Sequence, residues 1–338
     1  MDKNQQWLAN NAVNLTGKTV IVTGANSGLG YETTKNLVSW GASVIMACRD
    51  TDKAEQAKNK IAEALSEQLT RHGSDTLANT IAAKDRGEIH IEELDLASLS
   101  SIKRFAESFK QKHTALDILC NNAGVMALPL CRTAEGFEMQ IGTNHLGHFA
   151  LTSHLLPLII ATPNARVMNV SSGFHTIGHI RLDDLNWHKR YSKWLAYSQS
   201  KLANLLFTYE LQRRFERHNI DALSVAAHPG YAATQLALHA PAMQNSSMGV
   251  WLSRVGTRLT AQPATAGALP STLAATGAEV CGGDYYGPKG ILELRGRPEK
   301  VSAIQRAHDL EVASKLWDLS ESLTKTPFDF TATEQKSA

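Results

Sequence analysis

The sequence predicts an α/β protein built on a doubly wound parallel sheet, about seven strands with helices on both faces, in a single domain. Two observations carry that expectation. Short, continuously apolar, β-branched runs alternate along the chain with longer segments patterned at helical spacing, the rhythm of βαβ units. The first of these runs, Lys18 to Thr23, passes directly into a glycine-rich turn and then a helix pattern, the context in which a helix N-terminus meets a phosphate.

Composition bounds the reading. The 338 residues are 43% hydrophobic and 20% charged, enough apolar residues for a sizeable core. A net charge of +2 without any basic run gives no argument for nucleic acid. Cys48, Cys120, Cys131 and Cys281 lie far apart with no C-x-x-C pair, which argues against a zinc site or a disulfide framework and fits a reduced, cytoplasmic setting. The polar residues 1–17 read as an N-terminal extension, and no stretch is apolar for long enough to span a bilayer.

The elements follow in order. After Lys18 to Thr23 comes Gly24-Ala25-Asn26-Ser27-Gly28-Leu29-Gly30, whose glycines let the backbone approach a pyrophosphate, and a helix from Leu29 to Trp40. The spacing is G-x-x-x-G-x-G, not the commoner G-x-G-x-x-G. A second strand, Ser43 to Cys48, ends where such folds place an acid for the ribose hydroxyls. Here Cys48 is followed by Arg49, whose guanidinium suits a 2′-phosphate, so the sequence favours NADP(H) over NAD(H). Asp50 is the counter-argument, because a strand one residue longer restores an acid. A charged helix over Asp52 to Leu69 precedes a polar excursion, Thr70 to Arg86. The third strand, Glu88 to Leu94, ends at Asp95-Leu96, and a helix runs from Leu99 to Lys112 behind Ser98.

The fourth strand, Asp117 to Cys120, closes on Asn121-Asn122-Ala123-Gly124, small residues across which a cofactor can lie. A helix is expected from Glu135 to Leu156, carrying Asn144. Arg166 to Val170 is the fifth strand and runs into Ser171-Ser172. Ala222 to Ala227 is the sixth and runs into His228-Pro229-Gly230. A helix over Ala264 to Thr276, a last strand over Gly282 to Tyr286 and a C-terminal helix over Pro298 to Leu323 complete the chain. In domain terms, residues 18–290 form the nucleotide-binding unit with a lid at about 235–263, and residues 291–338 a C-terminal helical extension.

Between strands five and six, Leu195 to Phe215 is an amphipathic helix with Tyr197 and Lys201 one turn apart on one face. A tyrosine with its usual pKa near ~10 is a poor proton carrier at neutral pH. A fixed cation beside it favours the phenolate and makes it a usable general acid/base.

Thr23-Gly24-x-x-x-Gly28-x-Gly30, Asn121-Asn122-Ala123-Gly124, Asn144, Ser171-Ser172, Tyr197-x-x-x-Lys201 and Pro229-Gly230-x-x-x-Thr234 together resemble the short-chain dehydrogenase/reductase family, from about Gly17 to Thr234. Within it the chain is most similar to the retinol-dehydrogenase-like branch, through residues 47–50, 144–149, 169–175 and 200–207. The resemblance implies a Rossmann-type fold and an NADP(H)-dependent oxidoreductase interconverting an alcohol with an aldehyde or ketone. By the same resemblance Tyr197 is the general acid/base, Lys201 depresses its pKa and holds the nicotinamide ribose, and Ser172 binds the substrate oxygen. Ser171 competes for the serine role. Asn144 would hold a water linking Lys201 to solvent. Asp95 and Leu96 would flank the adenine, with Pro229, Gly230 and Thr234 around the nicotinamide.

The segment Phe174 to Trp194 is longer than the family's shortest members carry; it is either a wall of the substrate site or a loop packed outside by its tryptophans. Met243, Met248 and Trp251, in the lid stretch, suggest a lipophilic or bulky substrate. His145, His148, His175, His179 and His228 show no H-x-x-x-H with an acidic partner, so no metal is expected. Assembly as a monomer or homodimer stays open. Rival readings are a carbon–carbon double-bond reductase and a non-catalytic NADP(H)-binding sensor or scaffold.

Overall fold

The computed structural model describes residues 3–71, 87–230 and 262–331. The expectations placed on residues 72–86, on Thr234 and on the lid as far as residue 261 lie outside these. Among the described residues eight strands form one sheet: β1 (Thr19–Thr23), β2 (Ser43–Cys48), β3 (Ile89–Glu93), β4 (Ile118–Asn121), β5 (Ala165–Val170), β6 (Ala222–Ala227), β7 (Tyr285–Pro288) and β8 (Pro298–Lys300). Their order is β3-β2-β1-β4-β5-β6-β7-β8. The strands run parallel through β7, and β8 pairs antiparallel at the edge. The chain reverses its winding between β1 and β4, so a crevice opens there above the strand ends.

Both faces of this sheet are covered, which is why its strands read as unbroken apolar runs. Side chains alternate across the pleat. Ile21, Leu119 and Val167 point to one face, where α4 (Leu99–Lys112), α5 (Gly147–Ala161) and α6 (Lys193–Arg217) bring Phe105, Phe149 and Phe207. Val20, Val22 and Met46 point to the other, against Leu37, Ile61 and Ala274 of α2 (Gly28–Ser39), α3 (Thr51–Arg71) and α7 (Leu269–Thr276). Residues 1–17, expected only as an extension, carry a short helix, α1 (Lys3–Asn10), with Leu8 and Val13 packed against that second core.

Several boundaries differ from the sequence reading, among them the last parallel strand, expected over Gly282 to Tyr286 and found at Tyr285–Pro288. The helix expected from Glu135 begins at Met139, because Gly136 turns with φ of 85° and the Glu138 carboxylate accepts the Ile141 N–H. It then widens into a π-turn over Gly142–Leu146 before α5, which continues to Ala161 with Pro157 inside it. The segment from Pro298, expected as helix, first adds β8 to the sheet, so helix α8 (Leu310–Thr324) starts behind its Asp309 cap. Hydrophobic spacing could not separate that three-residue edge strand from the helix that follows. The amphipathic helix α6 is buried on nearly every side from Ala196 to Gln212.

One side of that burial is supplied by α8 and the residues that follow it. Trp317 of α8 sits 5.1 Å from the Phe149 ring, 5.7 Å from Phe207 and 4.5 Å from Phe328, with the Arg214 guanidinium 4.1 Å over its face. Truncation of a fully packed tryptophan costs roughly 3–5 kcal/mol. Trp317→Ala is expected to lose that much in urea unfolding with an unchanged m-value. A midpoint equal to wild type would show that α8 does not stabilise the α5–α6 face.

Candidate active site

The crevice above β1 and β4 is floored by glycine. Gly24 and Gly28 hold φ of 64° and 57°, and a Cβ at Gly24 would lie 3.0 Å from that of Ala123. A Cβ at Gly30 would come within 2.5 Å of the Gly24 carbonyl and the Asn122 amide. Ser27 precedes α2 without capping it through its side chain, so the first-turn N–H groups of α2 face the crevice. Asn122 Oδ1, in the same wall, is buried without a hydrogen-bond partner. A crowded glycine turn and open helix donors fit a dinucleotide diphosphate, while the orphan Asn122 oxygen suits a donor such as a hydroxyl.

Thr23 stitches this floor together, a role that the sequence did not single out. Its hydroxyl accepts the N–H groups of Asn122 and Ala123, each at 2.9 Å. His148 Nδ1 is 3.0 Å from the Asn144 carbonyl and therefore carries the proton, leaving Nε2 to accept from Thr23 Oγ1 at 2.9 Å. Burial lowers His148 to about 4 and His145 to about 3, so both rings are neutral. His145 meets Ser320 of α8 at 2.9 Å. These two histidines are fixtures of the packing around the π-turn.

At one end of the crevice β2 stops at Cys48, as the sequence reading has it, and Arg49 stands exposed on the wall. The Asp50 carboxylate lines the same crevice, where it takes the Lys53 N–H at 3.0 Å and Lys53 Nζ at 2.6 Å. Those bonds hold the Asp50 carboxyl below the usual carboxylate range. Asp95 and Leu96 line the same end.

At the other end Ser172, Tyr197 and Lys201 line the crevice together. Lys201 Nζ donates to the Val170 carbonyl at 3.0 Å and lies 5.8 Å from the Tyr197 ring centre. Burial pushes the Tyr197 phenol up to about 12, with Ser172 pulling it back, and lowers Lys201 to about 8. Desolvation dominates both groups, and Lys201 is turned to the end of β5. Ser171 Oγ donates to the Lys201 carbonyl at 2.9 Å, whereas Ser172 Oγ faces Tyr197 and accepts the Phe174 N–H. Asn144 clamps the main chain of Val125 through both ends of its amide, at 2.8 and 2.9 Å, and donates to Ser200. Its side chain thus shapes the Gly124–Val125 turn and does not reach Lys201 directly.

The segment from Phe174 to Trp194 divides between the two readings given to it. Phe174 stacks on Trp194 at 5.2 Å and stands edge-on to Tyr197 at 5.7 Å, both rings on the crevice wall. Trp187 is buried, and Tyr191 donates to the Leu128 carbonyl at 2.8 Å. Buried Gln140 accepts the Ala127 N–H at 2.6 Å, tying residues 126–128 of the wall to this segment. Pro229 and Gly230 close the crevice from β6.

Residues 18–76 and 69–245 match the short chain dehydrogenase family. The chain belongs to that family. Its place is the retinol-dehydrogenase-like branch: it is 40% identical to human retinol dehydrogenase 14 over 309 residues, 90% of this chain and 85% of the relative. A solved but uncharacterised protein from Mycobacterium paratuberculosis superposes with a TM-score of 0.73 at 41% identity, covering 95% of this chain and 98% of that one. The Pseudomonas aeruginosa RhlG/NADP complex shares the fold alone, with a TM-score of 0.59 at 19% identity over 81% of this chain and 96% of that one. The protein is accordingly an oxidoreductase of the short-chain type. Among its described residues no helix is long and apolar enough to cross a membrane.

The neutral histidines carry a stability signature. Unfolded imidazoles titrate near ~6.5, so as pH falls below that the unfolded chain takes up two protons that His145 and His148 refuse in the native state. The stability they contribute is fully present above about pH 6.5 and is lost toward about pH 4, at up to about 2.7 kcal/mol per pH unit for the pair. A urea midpoint that stays flat between about pH 7 and about pH 4.5 would contradict this.

Proposed function

We propose that this chain is an NADP(H)-dependent oxidoreductase interconverting an alcohol with a ketone or aldehyde of lipophilic character. The observation that carries the reading is one crevice with Arg49 at one end, beside an Asp50 carboxylate engaged by Lys53, and Ser172, Tyr197 and Lys201 converging at the other. A bound nicotinamide supplies or takes the hydride. Tyr197 gives its proton to the oxygen as a carbonyl is reduced, or accepts it as an alcohol is oxidised. Ser172 donates to the same oxygen and stabilises its developing charge. Lys201, anchored on Val170, holds its ammonium beside the ribose position and the phenol. Asn122, Ala123 and Gly124 support the middle of the cofactor, and the α2 N-terminus with Gly24, Asn26, Leu29 and their neighbours holds the diphosphate.

Substrate character follows from the wall. Phe174, Ile177 and Trp194 with Met126, Leu128 and Met139 make the chemical end apolar, and the relatives named as retinol dehydrogenases support an apolar alcohol or aldehyde. The four free cysteines fit a reducing, cytoplasmic setting.

The test is consumption of NADPH and of NADH against aldehydes, ketones and enones. Tyr197→Phe is expected to lower kcat by about 10²–10⁴-fold with cofactor binding retained. Arg49→Ala is expected to raise the KM for NADPH roughly 10–100-fold and leave that for NADH unchanged. A wild-type preference for NADH would end the Arg49 argument. Turnover confined to enones would replace the carbonyl reading with double-bond reduction, and tight NADPH binding without any turnover would leave a sensor.

A further inference from the structure

Behind Pro229 and Gly230 lies a titratable pair, a buried histidine and a half-exposed carboxylate, that the chemistry above does not use. His228 follows β6 with 1% of its side chain exposed. Its main-chain N–H extends the ladder to the Tyr286 carbonyl at 2.9 Å. The ring packs 5.2 Å from that of Tyr285, and a Cβ on Gly287 would collide with it. The Gly230 N–H points at His228 Nδ1 at 3.2 Å. A backbone N–H only donates, so Nδ1 holds a lone pair and Nε2 carries the proton. That proton goes to Glu293 Oε2 at 2.8 Å.

Glu293 reaches this position from the loop between β7 and β8. The loop is closed by Lys289 N–H on the Arg297 carbonyl and Gly290 N–H on the Arg295 carbonyl, both at 2.8 Å. At its tip Leu292 and Glu293 take φ of 53° and 55°, two successive side-chain-bearing residues in the left-handed region. Leu292 is 83% exposed, so its burial does not account for the strain. What the conformation achieves is to bring the Glu293 carboxylate down onto His228 and the Glu293 and Leu294 carbonyls against the 229–230 turn. A Cβ on Gly230, itself at φ of 63°, would lie within 2.8 Å of both carbonyls. Backbone strain of this kind persists where the surroundings over-determine it, commonly at ligand-holding sites.

We propose that Glu293 is a positioning residue for the cofactor: by taking the His228 Nε2 proton it aims the Nδ1 lone pair at Gly230 and fixes the Pro229–Gly230 turn at the nicotinamide end. This deepens the reading given under the proposed function and rests on it. Glu293 acts through His228. It needs only an acceptor, so a carboxamide serves in place of the carboxylate.

The experiment combines NADPH affinity by fluorescence titration, KM and kcat, and histidine ring ¹⁵N shifts by NMR on the protein without added nucleotide. Wild type is expected to show His228 protonated at Nε2. Glu293→Ala is expected to raise both the Kd and the KM for NADPH about tenfold, with kcat within about threefold and Tm unchanged. Glu293→Gln is expected to restore both to within about threefold of wild type. A proton on Nδ1 in wild type overturns the proposal. So does an unchanged NADPH affinity in Glu293→Ala, or a Glu293→Gln as weak as the alanine variant. Should Glu293→Ala not fold, Glu293→Met keeps the length without the acceptor and takes its place. Wild type that binds neither NADPH nor NADH would sink the cofactor reading instead. The His228 tautomer and the amide exchange of Gly230 in the variants would still judge the Glu293 link by itself.

Discussion

The site depends on one buried ammonium. Lys201 lies at 3% exposure in the middle of α6, and burying a charge is costly unless it is met by a partner. Its partner is the carbonyl of Val170, the last residue of β5, which also takes the Asn204 amide at 3.0 Å. Ser171, the next residue, returns a bond to the Lys201 carbonyl. Helix and strand end are thus locked in register by the lysine and its neighbours, and Tyr197 and Ser172 face each other because of that lock. Deeper still, Asn169 joins Asn121 of β4 at 2.9 Å and Thr208 of α6 at 3.1 Å. The polar layer continues across three elements under an otherwise apolar sheet. Such networks specify a single arrangement when their members are satisfied.

Much of this was legible in the sequence because its periodicities are unmixed. β1, β2 and β6 are continuous apolar runs bounded by glycine, charge or proline, and parallel burial leaves no other reading. The candidate residues could be gathered because each stands at the C-terminal end of a strand or one turn into a helix. What was not legible depends on contacts distant in sequence. The length of β8 is set by Tyr286 pairing with Lys300, a pairing with no local signal. The π-turn at Asn144 is tied to Val125, nineteen residues before it. Spacing reveals a cation neighbouring Tyr197 but not the burial of both groups.

The 174–194 segment shows how one insertion serves two ends. Its outer residues Phe174, Ile177 and Trp194 face the crevice. Its inner ones satisfy the polar face of α6, where Gln199 accepts the Arg181 N–H at 3.1 Å and donates to the Leu185 carbonyl at 2.9 Å. A helix that carries Tyr197 and Lys201 would otherwise expose its far side to water. The insertion therefore shapes the substrate wall and secures the helix that does the chemistry, so substitutions inside it will mix effects on stability with effects on specificity.

The aromatic cap formed by Trp317, Phe328 and Phe330 has a consequence for how the chain is made. Residues Phe149 and Phe207 emerge from the ribosome long before the segment that shelters them, and β1, first of the strands to emerge, waits for β4 to flank it on its second side. During synthesis the growing chain carries an uncovered aromatic face on α5 and α6, a surface of the kind that chaperones engage and that aggregates at high concentration. Completion of the last hundred residues is then the step that converts a sticky nascent intermediate into the finished molecule, and premature termination anywhere before α8 leaves that surface permanently bare.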